Sequence, residues 1–297
     1  MRFGLLGTGH WAREVHGAAL AAHPDVEFAG VWGRDPRKAS ALGQIFGVPA
    51  LGLQELLESV DAVAIAMPPD VQAALAVRAA RAGCHLLLDK PLALTVEAAD
   101  RIVAEVNERG LASVIFYTHR FQPQTVAALV EALSVGGWHG GRATLFGSIY
   151  TEGNPYAGSV WRREYGGLWD IGPHALSLLC AALGKVTEVS AMDGPRQTAH
   201  VTLRHATEAV STMELTLDSA LAAVRNETVL HGESGWVTLP GFDGDAVASL
   251  GRAITQLIES VGGPEHPLSV RFGRHVVEVL AAAKKSARDG HRVAVEP

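Results

Sequence analysis

Three short segments hold residue types whose spacing could do chemistry together. Gly7-Thr8-Gly9-His10-Trp11-Ala12 has the pattern G-x-G-x-x-A and directly follows the apolar run Phe3-Gly4-Leu5-Leu6. The first glycine of such a turn permits a tight bend, and the second lets a diphosphate approach the backbone. The small third residue lets the following helix pack close to its strand. The diphosphate would rest on the helix N-terminus, where free N–H groups and the helix dipole favour negative charge. Asp89-Lys90-Pro91 closes the apolar run His85-Leu86-Leu87-Leu88, and Pro91 holds the Lys90 backbone extended. Further on, Asp170 stands before Gly172-Pro173-His174, where Pro173 reads as the first residue of a helix and puts His174 in its first turn. The dipole there disfavours an imidazolium, while Asp170 pulls the other way if it touches the ring. A neutral imidazole can accept a hydroxyl proton, and a lysine can stabilise the alkoxide charge that develops as hydride leaves a carbinol carbon. Each residue also has a plainer reading: Lys90 as a lysine leaving a strand, His174 as a helix-start histidine bonded to a nearby carbonyl.

The elements that must position these residues follow from periodicity. Through about residue 118, short apolar runs alternate with helix-period segments, the pattern of βαβ units and a parallel sheet. The strand candidates are Phe3–Leu6, Phe28–Trp32, Ala62–Ala66, His85–Leu88 and Ser113–Phe116. The helix after the glycine-rich turn is expected to bury Trp11, Val15, Ala18, Ala19 and Ala22. The helix from Val71 to Ala82 is expected to bury Val71, Ala74, Leu75, Ala79 and Ala82, with Gly83 as its left-handed stop. Thr95 reads as the N-cap of the next helix, whose apolar face is Val96, Ala99, Ile102, Val103 and Val106. After residue 118 the alternation ends. A helix from Pro123 to Leu133 precedes a strand over Arg142–Tyr150, a Gly/aromatic loop leads to a helix from Pro173, and five strand-like segments follow between Thr187 and Leu239. They suggest a mostly antiparallel sheet, closed by helices over Ala246–Val261 and Val270–Arg288. The expected fold class is therefore α/β: residues 1–118 form a Rossmann domain, and residues 119–297 form an α/β domain with a large, mostly antiparallel open sheet.

The second strand ends in Val31-Trp32-Gly33-Arg34-Asp35-Pro36, where an NAD enzyme would place an acid on the ribose 2′-hydroxyl. Gly33 holds that place, and Arg34 offers a 2′-phosphate both charge and a planar fork, so NADP is expected rather than NAD. Arg34 also reads as a solvated turn residue. Asp35 before Pro36 reads better as an N-cap with proline at N1 than as the ribose ligand.

Composition narrows the classes. The 297 residues suit two domains, and no apolar stretch approaches the ~20 residues of a membrane-crossing helix. The start of the chain has no secretory-signal pattern, which makes a cytoplasmic location the expectation. A formal charge of −6 without a basic, aromatic-interleaved block argues against nucleic-acid binding. The 13 histidines are scattered without metal-ligand spacing, so no metal is expected, and Cys84 and Cys180 read as core residues.

Taken in order, G-x-G-x-x-A at 7–12, Val60 to Pro69, Asp89-Lys90-Pro91, His119-Arg120-Phe121-Gln122-Pro123, Trp161-Arg162 ahead of Gly166-Gly167, and Asp170-x-x-x-His174 resemble the glucose-fructose oxidoreductase, inositol dehydrogenase and MocA family over essentially the whole chain. The resemblance implies a Rossmann domain followed by a substrate-binding domain whose open sheet makes homodimers or homotetramers, with a small-molecule substrate between the domains. It implies hydride transfer between a nicotinamide and a secondary hydroxyl or ketone of a sugar-like, polyol or cyclic diol compound. Lys90 matches the lysine on the reacting oxygen, and His174 the acid/base with Asp170 beside it. Gly7 to Ala12, Gly33, Arg34, Met67, Pro68, Asp89 and Lys90 would line the cofactor. Lys90, Arg120, Tyr150, Trp161, Arg162, Trp169 and His174 would line the substrate. Three departures stand out: Asp89 replaces the family's usual glutamate, Gln72 its histidine, and Ser177 a frequent aspartate that meets polyol hydroxyls. A catalytically silent NADP(H) sensor, and transient oxidation serving an elimination, are the alternatives.

Overall fold

The structure is a computed structural model that describes residues 1–242 and 244–296. The chain forms two compact units, Met1–Phe121 with Gly244–Arg274, and Gln122–Asp243 with His275–Pro297. The first unit contains β1 (Arg2–Leu6), a π-helical turn (Ala12–Gly17) running into α1 (Ala18–Ala22), β2 (Glu27–Trp32), α2 (Pro36–Phe46) and α3 (Leu53–Ser59). It continues through β3 (Ala62–Ile65), α4 (Pro69–Arg81), β4 (His85–Asp89), α5 (Val96–Glu108), β5 (Ser113–Phe116) and a 3₁₀ turn (Thr118–Phe121). Its five strands are all parallel, in the order β2-β1-β3-β4-β5. The strand direction of progression reverses between β1 and β3, which opens the crevice where parallel sheets bind ligands, at the strands' carboxyl ends. Phe3, Leu5, Leu6, Val63, Ala64 and Leu86 to Leu88 are fully buried in this sheet, as expected for strands covered on both faces.

The second unit contains α6 (Pro123–Val135), β6 (Trp138–Phe146), α7 (Val160–Asp170), α8 (Gly172–Leu183), β7 (Val186–Gly194), β8 (Thr198–His205), β9 (Val210–Thr216), β10 (Arg225–Gly232) and β11 (Gly235–Leu239). Then come α9 (Ala246–Ser260), which belongs to the first unit, α10 (Val270–Asp289), within which the division between units falls, and β12 (Val293–Ala294). The seven-stranded sheet has the order β11-β10-β6-β9-β8-β7-β12, and among the described residues its central β6–β9 pair is parallel and the other pairs are antiparallel. Helix α8 buries Leu176, Leu179 and Leu183 and packs over β6, β9 and β10. Among the described residues no helix is long and apolar enough to cross a membrane.

Several expectations shift by identifiable physics. The π-helical turn inserts an extra residue into the first helix, so the buried face is Ala12, Val15, His16, Ala19 and Leu20, with Trp11 and Ala18 half-buried and Ala22 exposed. In α4 the buried face centres on Gln72, Ala73, Leu75, Ala76, Ala79 and Ala80, while Ala74 and Ala82 are exposed, because a polar residue occupies the middle of the inward stripe. The strand expected over Arg142–Tyr150 runs from Trp138 to Phe146. Its glycines are strand residues because a side chain at Gly140 would collide with the Val210 carbonyl, and one at Gly141 would come within 2.9 Å of the Val229 carbonyl. The expected Gly/aromatic loop contains α7, bent where Gly166 takes φ 65°. The segment Gly244–Arg274, assigned by sequence to the later domain, packs with the first unit: Leu250, Ala253, Ile254 and Leu257 are fully buried, and the Ile115 amide donates to the Leu268 carbonyl at 2.8 Å.

Two histidines, His205 fully buried and His266 half-buried, give the fold a pH dependence. His205 is fully buried between the Gly184 carbonyl (2.7 Å from Nδ1) and the Ser211 hydroxyl (2.8 Å from Nε2). A carbonyl only accepts, so Nδ1 carries the proton and Nε2 accepts from Ser211. Burial pushes the His205 pKa down, and burial followed by the nearby Arg120 guanidinium pushes His266 down to about 4. Both rings are thus neutral in the folded chain over a range where unfolded histidines, near a pKa of about 6.5, take up protons. Their stabilisation is complete above that value and is lost as pH falls through it, continuing to about 4 for His266. Urea unfolding followed by circular dichroism should show a lower stability at pH 5 than at pH 7, by roughly 1–2 kcal/mol from His266 after allowance for its partial exposure, with His205 acting in the same direction. The drop should shrink in His266→Gln; equal midpoints at the two pH values would rule the account out.

Candidate active site

The glycine-rich turn begins where β1 ends. Gly7 takes φ +142°, its amide donates to the Trp32 carbonyl at 2.9 Å, and any Cβ there would collide with the Ala66 carbonyl at the end of β3. Only glycine fits between these strand ends. Gly9 is exposed, and a Cβ on it would meet nothing within 4 Å, so its backbone faces open space. Helical bonding starts with the Arg13 amide on the Gly9 carbonyl at 3.0 Å. The N–H groups of Trp11 and Ala12 precede that bond, at the helix start where backbone amides suit an anionic group. Ala12 is fully buried, which allows the close helix–strand packing expected of it.

At the tip of β2, Gly33 is buried and a Cβ on it would stand 2.5 Å from the Thr8 methyl carbon. A side-chain acid at this position would displace Thr8 from the glycine-rich turn. Asp35 is committed elsewhere, capping α2 by accepting from the Arg37 amide at 2.9 Å and the Lys38 amide at 3.4 Å. Arg34 is exposed between them. Met67 and Pro68 follow β3 and are half-buried. A diphosphate-containing dinucleotide thus fits the donors and open glycine of the first unit.

Lys90 is half-buried at the carboxyl end of β4, next to the buried, cis-linked Pro91. The Asp89 carboxylate lies 3.3 Å from Nε2 of His16, a fully buried ring on the π-helical turn that stands edge-on to Phe116 at 6.4 Å. The side chain of Gln72 is fully buried. Its Oε1 accepts from the Asp89 amide at 2.9 Å, and its Nε2 donates toward the carbonyls of Asp89 (2.7 Å), Pro91 (3.1 Å) and Leu92 (3.4 Å). Sequence reading misses His16 as a site neighbour; its spacing from Ala12, Val15 and Ala19 was the available signal. Arg120 sits on the 3₁₀ turn after β5, half-buried and close enough to His266 to depress its pKa.

The second unit gathers another set. Helix α7 carries Trp161, Arg162, Trp169 and Asp170, and the Arg162 guanidinium lies over the rings of Tyr156 (4.4 Å) and Trp161 (4.6 Å). Its Nε donates to Asp170 Oδ2 at 2.9 Å, and the Tyr150 hydroxyl donates to the Arg162 carbonyl at 2.8 Å. The Arg163 guanidinium covers the Tyr150 ring at 4.3 Å. Burial pushes the Tyr150 phenol up, against the opposing pull of Arg163, so it stays a neutral donor. The structure therefore joins Tyr150, Trp161, Arg162 and Asp170 into one cluster. Trp169 is 3% exposed and edge-on to Tyr165 at 5.8 Å, which leaves it little surface for a ligand.

His174 is half-buried in the first turn of α8, and its amide donates to the Ile171 carbonyl at 3.1 Å. Asp170 closes α7 instead of standing in a loop, and Ile171, in the right-handed helical region, links the two helices. Ser177 is fully buried and its hydroxyl donates to the His174 carbonyl at 2.8 Å, so this position serves the helix backbone where a carboxylate could have faced a polyol.

Comparison with known proteins agrees with this architecture. Residues 1–117 match the oxidoreductase family model with an NAD-binding Rossmann fold, and residues 124–238 match the C-terminal domain model of the same family. Two relatives named dTDP-3,4-didehydro-2,6-dideoxy-alpha-D-glucose 3-reductase are similar. The Streptomyces antibioticus protein is 34% identical over 46% of this chain and 43% of its own length; the Streptomyces violaceoruber protein is 34% identical over 64% and 56%. The chain thus spans about half the length of these curated relatives. The crystal structure of GenD2 from gentamicin A biosynthesis, in complex with NAD, superposes with a TM-score of 0.87 at 23% identity, covering 100% of this chain and 97% of that one, a likeness of fold. With both of its units matched in order, the chain belongs to the GFO/IDH/MocA oxidoreductase family, with an NAD-binding Rossmann fold at its N-terminus.

Proposed function

We propose that the protein is an NADP(H)-dependent dehydrogenase or reductase acting on a secondary hydroxyl or ketone of a sugar-like, polyol or cyclic diol substrate. The observation that carries this reading is the half-buried Lys90 at the carboxyl end of β4, one strand away from the sheet's switch point, on a backbone held from both sides. A nicotinamide bound at that crevice supplies the hydride acceptor or donor. The first-turn amides after Gly9 hold the diphosphate, Met67 and Pro68 flank the dinucleotide, and Arg34 pairs with a 2′-phosphate that meets no carboxylate at Gly33. Lys90 hydrogen-bonds the reacting oxygen and stabilises its negative charge. His174 takes the hydroxyl proton on oxidation and returns it on reduction, with Asp170, itself neutralised by Arg162, behind it. Arg120, Tyr150, Trp161 and Arg162 shape the substrate side. Ser177, turned onto the His174 carbonyl, supports a substrate with fewer hydroxyls than an ordinary sugar, as in the deoxy-sugar names of the two reductases.

The same reading makes the protein a cytoplasmic homodimer or homotetramer, associating through the sheet face that carries exposed Met192 and Val210. Light scattering should return more than one chain per particle, and a monomer at micromolar concentration would contradict it.

Fluorescence titration should show NADPH binding more tightly than NADH. Arg34→Ala should weaken NADPH by roughly tenfold or more, the scale of a charge-assisted contact, and leave NADH unchanged. Tighter NADH binding by the parent protein would sink the 2′-phosphate assignment. On the best substrate from a panel of sugars, inositols, diols and ketones, Lys90→Met and His174→Ala should each lower kcat by roughly 100-fold while sparing cofactor affinity. Undiminished turnover would remove the residue from the mechanism.

A further inference from the structure

We propose that Gln72 is a positioning residue for Lys90: its buried amide fixes the backbone on both sides of the lysine. A glutamine side chain is seldom fully buried unless its polar atoms are satisfied, because desolvating an amide without partners costs several hydrogen bonds' worth of free energy. Gln72 is satisfied in a particular way. Its oxygen accepts from the Asp89 amide, immediately before Lys90, and its nitrogen donates toward the Asp89 carbonyl on one side of the lysine and the Pro91 and Leu92 carbonyls on the other. The main chain is thus held at both flanks by a single side group rooted in the first turn of α4. That helix start is fixed in turn, since Pro69 opens it and the Gln72 amide donates to the Pro68 carbonyl at 2.8 Å.

A simple packing role explains this less well. The stripe of α4 around Gln72 is otherwise alanine, leucine and proline, and an apolar side chain would fill it without the desolvation cost. What an apolar residue could not do is hold the segment 89–92 at fixed points. The lysine side chain is long and flexible, so the precision of its ammonium group depends on the backbone that carries it, and a displacement of about 1 Å at a reacting centre can cost on the order of 100-fold in rate. The Asp89 carboxylate, in contrast, has the ring of His16 at 3.3 Å. The inference deepens the role proposed for Lys90 and rests on it for its catalytic consequence.

The test uses the full-length protein saturated with NADPH, comparing the parent with Gln72→Met, which keeps the size without the polar atoms, and Gln72→Glu, which keeps the acceptor and loses the donors. The pH dependence of acetic anhydride labelling is read at Lys90 by peptide mass spectrometry, with exposed Lys185 as the internal standard. The expected result is a changed rate and a shifted pH midpoint at Lys90 alone, larger in Gln72→Met than in Gln72→Glu, with Lys185 and NADPH affinity as in the parent. On a panel substrate, kcat should fall roughly tenfold with little change in KM. A Lys90 labelling profile identical to the parent's, in either folded variant, overturns the proposal. Labelling needs no substrate, so it separates the two claims: altered labelling together with full turnover by Lys90→Met would keep the clamp and discard the catalytic role of Lys90.

Discussion

The carbonyl oxygen of Ala66 occupies the space that a side chain on residue 7 would need. This steric constraint, at the carboxyl ends of the adjacent parallel strands β1 and β3, decides what can stand at the first turn of the N-terminal unit. It forces glycine at the bend and brings the ends of β1 and β3 together at the switch point. The chain then enters the π-helical turn, whose first helical bond runs from the Arg13 amide to the Gly9 carbonyl. The same close packing recurs at Gly33, where the Thr8 methyl fills the place of a ribose-binding acid. The glycine-rich turn, whose first amides suit an anionic group, and the tip that lacks a carboxylate are therefore two sides of one packed corner, and Arg34 is the group left exposed beside it. His16, rooted in the π-helical turn, has its ring 3.3 Å from the Asp89 carboxylate, so the helix after the glycine-rich turn touches the end of β4.

The second unit handles charge differently. Asp170 is 6% exposed, and burying a carboxylate is costly without a partner. Arg162 supplies one through a 2.9 Å bond while its guanidinium lies over the rings of both Tyr156 and Trp161. Stacking on two rings suits the planar, weakly hydrated guanidinium and would not suit a lysine ammonium. The arginine is consequently more scaffold than reagent, and Asp170 is compensated before any substrate arrives.

Much of this was legible in the sequence, and the exceptions have physical reasons. The parallel strands, the Thr95 and Asp35 caps and the antiparallel character of the later sheet follow from local chemistry: apolar period, side-chain oxygens beside free amides, and proline at N1. Helix α7 was hidden because Gly166 and Gly167 interrupt its periodicity, yet Gly167 is demanded by the Thr216 backbone, which a Cβ would approach to 2.8 Å. The inward face of α4 was misread because its centre is a polar residue whose partners lie 17 to 20 positions away. No local pattern encodes such a tie. The return of residues 244–274 to the first unit is likewise a tertiary fact, set by apolar residues of α9 that any core could have accepted. Of the candidate site, the sequence offers residue types and their order, whereas the pairing of Asp170 with Arg162 and the diversion of Ser177 to a backbone carbonyl are visible only in the structure.

The central claim is that this chain moves hydride between a nicotinamide and a carbinol carbon. Incubating it with NADPH carrying deuterium at the transferable position of the nicotinamide, together with a panel of keto-sugars and cyclic ketones, tests that claim most directly through mass spectrometry of the products. Deuterium should appear on the newly formed carbinol carbon of at least one product. Tight NADPH binding with no deuterium in any product would contradict the account and favour a protein that binds the dinucleotide without using it.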